Sequence, residues 1–110
     1  MKNIFSVMLM LFSSVVFANP LHEKASNMSE ADRKVFFQKF MTKEDNCKQI
    51  SKTFFQGLDR YENAFWNIAC SSGESYQLML RSDKEALKML SCQTVKILVP
   101  KGACFSKFPN

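Results

Sequence analysis

Apolar residues follow three successive patterns along this chain. From Ile4 to Val16 they form a block broken only by Ser6, Ser13 and Ser14. Val35, Phe36, Phe37, Phe40 and Met41 then recur at spacings that build one wide helical face. Between Ala64 and Leu80 the pattern changes to alternation. Ala64, Trp66, Ile68 and Cys70 point one way, and Phe65, Asn67 and Ala69 the other.

The first block carries the marks of a secretory signal peptide. Lys2 supplies a positive start, and Val16-Phe17-Ala18 places small residues at positions −3 and −1 of a cleavage site. The apolar run is shorter than the roughly 20 residues a spanning helix needs. Residues 1–18 are therefore expected to be removed, with the cut after Ala18 and Asn19-Pro20 opening the mature chain. Residues 19–28 are polar and unpatterned and read as a loose leader. Residues 29–110 read as a single domain, the natural count at this length.

Within the domain, Ser29 suits a helix N-cap, with Glu30 and Asp32 in the first turn. The spacing predicts a helix over 30–42 whose aromatic stripe is core in preference to a partner-binding face. Residues 44–56 fit both helical and strand periods. Gly57-Leu58-Asp59-Arg60 reads as a turn. The strand over 64–70 leads through Ser71-Ser72-Gly73-Glu74 into a second strand on Tyr76, Leu78 and Leu80, with Gly73 suited to positive φ. A polar turn at 82–85, a strand over 87–92 and an apolar β-branched run at 95–99 follow, stopped by Pro100-Lys101-Gly102. The expected fold class is α+β: an N-terminal helix packed on a three- to four-stranded antiparallel meander and stapled by disulfides.

The staples are Cys47, Cys70, Cys92 and Cys104, an even number as an oxidising compartment favours. No C-x-x-C pair occurs, which argues against zinc and against a thioredoxin-like centre. If 48–55 pairs with 64–70, Cys47 and Cys70 share one sheet end, and Cys92 is left for Cys104. Cys70–Cys92 with Cys47–Cys104 remains open.

Composition narrows the chemistry. Hydrophobic residues make up 46% and charged ones 23%, which argues against a disordered chain. His22 is the only histidine and sits in the presumed leader, where a solvated terminal position is expected, so a Ser-His or Cys-His mechanism has no well-placed base. Carboxylates at Glu44, Asp45, Asp59, Glu62, Glu74, Asp83 and Glu85 fall in turns, and none forms an evident pair. No catalytic residue, cofactor or metal ligand is assigned, and the chain reads as non-enzymatic. Fifteen Lys and Arg against ten Asp and Glu give +5, spread without a long basic run. That balance suits solubility, anionic envelope lipids or glycans, and nucleic acid and stable membrane insertion are not expected.

Trp66 and Tyr76, flanking the hairpin turn, are core unless the sheet keeps an uncovered face, in which case they form a binding surface. Their motif, Trp66-x-x-x-Cys70-x-x-Gly73-x-x-Tyr76, resembles a group of small exported proteobacterial proteins of unassigned function. The helix followed by strand–turn–strand is loosely similar to PepSY-type domains, and the aromatic–Cys–Gly–aromatic hairpin is similar to that of bacterial lysozyme inhibitors. The export signal, the stapled fold and the poor catalytic inventory point to an exported module that binds a protein or another envelope component. Inhibition of a peptidase or lysozyme is one alternative, and a small carboxylate enzyme using Glu62, Glu74 or Asp83 is another.

Overall fold

The computed structural model describes residues 19–41, 43–44, 46–83, 87–99 and 103–109. The expected signal peptide, the second half of the 82–85 turn and the Pro100–Gly102 stop lie outside these. The fold is α+β. Helices α1 (Pro20–Ser26) and α2 (Glu30–Gln38), the latter ending in a 3-10 turn at Lys39–Met41, precede a sheet of β1 (Ile50–Leu58), β2 (Ala64–Cys70), β3 (Ser75–Leu80) and β4 (Leu87–Ser91). Helix α3 (Cys92–Leu98) follows, and residues 103–109 form an extended tail. The sheet is an antiparallel meander in the order β1-β2-β3-β4.

Strand pairing sorts the side chains onto two faces. Ala64 lies opposite Leu80, Trp66 opposite Leu78, and Ile68 opposite Tyr76, so these six share the inner face under the helices. Phe37, Met41, Ala25 and Ile50 complete that core, with Phe36 at its margin. Phe54, Phe65, Asn67, Gln77 and Met79 take the outer face.

Helix α2 forms as expected, with Ser29 Oγ accepting the Asp32 amide hydrogen at 3.1 Å. It packs against β1 and also guards that strand's edge. Gln38 Oε1 accepts from the Ile50 amide at 3.0 Å, and Glu30 Oε2 accepts from the Thr53 amide at 2.8 Å. Burial alone would raise the Glu30 carboxyl. The bonds from the Thr53 hydroxyl and amide, with Arg33 beside it, outweigh burial and hold it below its ordinary value. Further along the same edge, the Phe108 amide donates to Gln56 O at 2.9 Å. Edge amides answered in this way leave little for another chain to pair with.

Three expectations are corrected. The presumed loose leader is helix α1. Asn19 caps it, its Oδ1 accepting from the His22 amide at 3.2 Å, while its Nδ2 donates to Glu62 O at 2.9 Å and Leu80 O at 2.8 Å. Arg33 closes the other end, donating to Ala25 O at 2.9 Å and Met28 O at 2.7 Å. The run 95–99 is also helical from Cys92 to Leu98, because Ser91 Oγ accepts from the Thr94 amide at 3.1 Å and starts a helix there. One helix was expected before the sheet and none after it; two precede it and one follows. The ambiguous stretch 44–56 becomes strand only from Ile50, and β1 runs through Gly57 and Leu58, so the turn begins at Asp59.

Gly57 has φ of +148°, and a Cβ there would stand 3.0 Å from Phe108 Cδ2. Its bareness lets the tail close down on the sheet. Gly73 takes φ of +101°, as its turn requires. Cys47 bonds to Cys70, with Cα atoms 5.1 Å apart, and Cys92 bonds to Cys104 at 5.9 Å, the sequential pairing.

Candidate functional site

Trp66 and Tyr76 come together on the inner face, but at 4% and 7% exposure they are core and not a surface. Helices α1 and α2 cover the face they occupy. The Trp66 indole is satisfied from all sides. Its Nε1–H donates to His22 Nδ1 at 3.0 Å, Phe37 and Phe55 pack against the ring, and the Arg33 guanidinium lies 4.8 Å from its centre. His22 is therefore buried and not a solvated terminal residue, and its ring stacks on Phe55 at 4.7 Å. Burial lowers its pKa, against a smaller opposing pull from Glu23. Burial and then the carboxylates Glu44 and Glu74 push the Tyr76 phenol up.

The carboxylates considered for catalysis do not converge. Glu62 and Asp83 lie at the end of the sheet that holds the β1–β2 turn, and Glu74 lies at the opposite end, about 20 Å away along β2. Asp83 pairs with Arg81 at 3.0 Å. Asp59 is consumed by its own turn, accepting from the Tyr61 and Asn63 amides at 2.9 and 3.0 Å. Asp45 and Glu85 lie outside the described residues. Among the described residues no His, Cys, Asp or Glu cluster could hold a metal ion. No helix among them is long and apolar enough to cross a membrane.

The outer face is where the molecule is left incompletely covered. The tail crosses its β1–β2 half. Gln56 Nε2 donates to Ala103 O at 2.8 Å and Ser106 O at 3.0 Å, while its Oε1 accepts from Asn67 Nδ2 at 2.8 Å and Gln77 Nε2 at 2.7 Å. Asn67 Oδ1 accepts from the Phe105 amide at 2.6 Å, and Phe108 sits edge-on to Phe65 at 5.3 Å. Over the β3–β4 half a groove of about 500 Å³ remains, lined by Phe65, Gln77, Met79, Lys88, Met89 and Leu90.

Helix α3 leaves this second half and presents apolar residues to solvent. Val95 is its one buried side chain. Ile97 lies about 200° around the helix from Val95 and is 78% exposed, followed by Leu98 at 64% and Val99 at 51%. Leu90 on β4 is 42% exposed. Scattered exposed aliphatics are ordinary, but four within ten residues, three of them consecutive, are a patch.

Charge is distributed to match. Residues 19–85 hold ten basic and ten acidic side chains, whereas residues 86–110 hold Lys88, Lys96, Lys101 and Lys107 and no carboxylate side chain. The whole formal charge of residues 19–110 thus falls in the last 25 residues of the sequence; of its lysines, Lys88 and Lys96 belong to β4 and α3, and Lys107 lies over Phe54 and Phe55. That asymmetry is readable from the sequence. Counting charge over the full chain, where no basic run stands out, conceals it. A second groove, about 580 Å³, runs beside Val35 and Gln38 on α2, but there Gln38 is already spent on the backbone of Cys47 and Ile50. The chain matches no protein-family model, and no curated protein or solved structure is similar to it.

Proposed function

We propose that this chain is an exported module that acts by binding, and that its binding surface is the β4–α3 unit and not the Trp66–Tyr76 pair. The observation that carries this reading is the concentration of exposed Leu90, Ile97, Leu98 and Val99 in a stretch whose lysines no carboxylate side chain offsets. A surface built this way favours an apolar and anionic counterpart. The pairing of all four cysteines supports an oxidising compartment. The signal-like first eighteen residues support export, and Asn19, the residue after the expected cut, is bonded to Glu62 and Leu80. The scattered carboxylates and the enclosed His22 support binding over catalysis.

Two measurements test this. Mass spectrometry of natively produced protein is expected to find a chain starting at Asn19 and lacking four thiol hydrogens. A photo-cross-linking amino acid at position 97 is expected to give adducts in the intact cell envelope. The same group at Tyr61, 64% exposed against 78% for Ile97 and at the opposite end of the sheet, is expected to give none. Four free thiols, or equal labelling at both positions, overturns the proposal.

A further inference from the structure

We infer that the β4–α3 unit docks on a phospholipid bilayer rich in anionic lipid, with the last turn of α3 entering the headgroup layer. This inference rests on the binding surface proposed above and names its counterpart. Ile97, Leu98 and Val99 stand exposed at the helix end as a short aliphatic wedge. A wedge suits a soft interface, where side chains need only sink below the level of the phosphates. Lys96 precedes the wedge, and Lys88 is exposed on β4. Their long stems allow the ammonium groups to stay at phosphate level while the aliphatic chains descend.

Charge complementarity selects this occupant over a second copy of the chain. Two such units facing one another would set lysines against lysines with no carboxylate side chain in 86–110 to answer them. An anionic leaflet supplies the missing charge and attracts lysines held near its surface. The other exposed apolar site, around Val35 on α2, is a single exposed aliphatic beside Lys34 and Lys39 and not a run of three.

The test uses the natively produced oxidised protein and sedimentation with large unilamellar vesicles. Vesicles of phosphatidylglycerol and phosphatidylcholine are expected to carry the protein down, and vesicles of phosphatidylcholine alone are not. Raising the salt from 50 to 500 mM is expected to release it (roughly a threefold shorter screening length). Ile97→Ser with Leu98→Ser is expected to lower partitioning at least about tenfold, and Lys88→Gln or Lys96→Gln about fivefold each. Val35→Ser is expected to change nothing. Circular dichroism melts confirm that each variant is folded.

Equal binding to neutral vesicles, no binding to anionic ones, or full binding by the Ile97/Leu98 variant overturns the inference. So does a dimer in sedimentation velocity that the same double substitution abolishes. Protein adducts from position 97 without vesicle binding would remove the lipid and leave the binding surface standing; absence of both would remove the two together.

Discussion

The two edges of the sheet are treated differently by the chain that surrounds them. Along β1, Gln38, Glu30 and the Phe108 amide reach the outward backbone groups at Ile50, Thr53 and Gln56. Beyond β4, no strand among the described residues pairs with the other edge, and the segment continues into a helix whose last turn is bare of cover. The surplus lysines are divided: Lys88 and Lys96 belong to the β4–α3 unit, while Lys107 lies over Phe54 and Phe55 of β1. On the proposed reading, stability and interaction divide within one small sheet. One half holds α1, α2 and the aromatic core. The other exposes Leu90, Ile97, Leu98 and Val99, while its Leu87, Met89 and Val95 still pack inward.

The largest test of that separation contrasts two bulky residues. Trp66→Ala removes the centre of the inner core and strips His22 and Arg33 of their partner, and it is expected to cost about 3–5 kcal/mol in urea denaturation. Ile97→Ser is expected to stay within about 0.5 kcal/mol. A comparable loss at both positions would mean that α3 is part of the stabilising half after all.

The disulfides sharpen the same contrast. Cys47→Ala with Cys70→Ala opens a bridge spanning 23 positions in a buried corner of the core and is expected to cost about 3–4 kcal/mol. Cys92→Ala with Cys104→Ala opens one spanning 12 and is expected to cost about 3 kcal/mol or less. The location of the damage separates them more clearly than its size. Hydrogen exchange is expected to quicken throughout the sheet for the first pair. For the second it is expected to quicken in α3 and at the Phe105 and Phe108 amides, with the β1–β2 ladder unchanged.

What the sequence made legible follows this division. Alternation over 64–80 was readable because one face of β2 and β3 is buried against helices, so period two was enforced at every step. The sequential cysteine pairing was favoured from the pairing of 48–55 with 64–70, with Cys70–Cys92 and Cys47–Cys104 left open, and the bonds are the sequential ones. Helix α1 was not readable, since seven residues carry too little period of their own and its bonds run to Glu62, Leu80 and Trp66, far off in sequence. Helix α3 was misread because Thr94, Val95, Ile97 and Val99 favour strands, and the Ser91 cap and the Cys92 bridge overrode that preference. The surface at Ile97 was missed for a related reason: an apolar run in a small protein is first assigned to the core. Trp66 and Tyr76 were placed on the right elements, but whether their face was covered depended on α1.

Gln56 joins the halves and should show an intermediate effect. Among the described residues its side chain is the one partner of Asn67 Nδ2 and Gln77 Nε2, and it holds two tail carbonyls. Gln56→Leu leaves these groups without it in a buried setting and is expected to cost about 2–3 kcal/mol. The tail amides at Phe105 and Phe108 are expected to lose protection before the sheet does.

The smallest effect concerns acid. The indole hydrogen of Trp66 points at His22 Nδ1, so that nitrogen is an acceptor and the ring is neutral in the folded state. Protonating Nδ1 would set two donors against each other inside the aromatic cluster, in addition to the cost of burying the charge. The folded-state pKa is accordingly lowered, and below the unfolded value of about 6.5 the unfolded chain binds more protons than the folded one. The stability tied to neutral His22 is complete above that value and is lost as pH falls from there toward the lowered folded value. The Glu30 contribution, also from a lowered carboxyl, is lost only as pH falls below its ordinary value of 4.5, outside the range from pH 7.5 to 5.0. The melting temperature of the wild type is expected to fall between pH 7.5 and 5.0. In His22→Gln, whose amide oxygen can still accept from Trp66 but takes up no proton, the curve is expected to be flat over that range. An equal slope in both proteins would place the acid sensitivity elsewhere and detach His22 from the stabilising half.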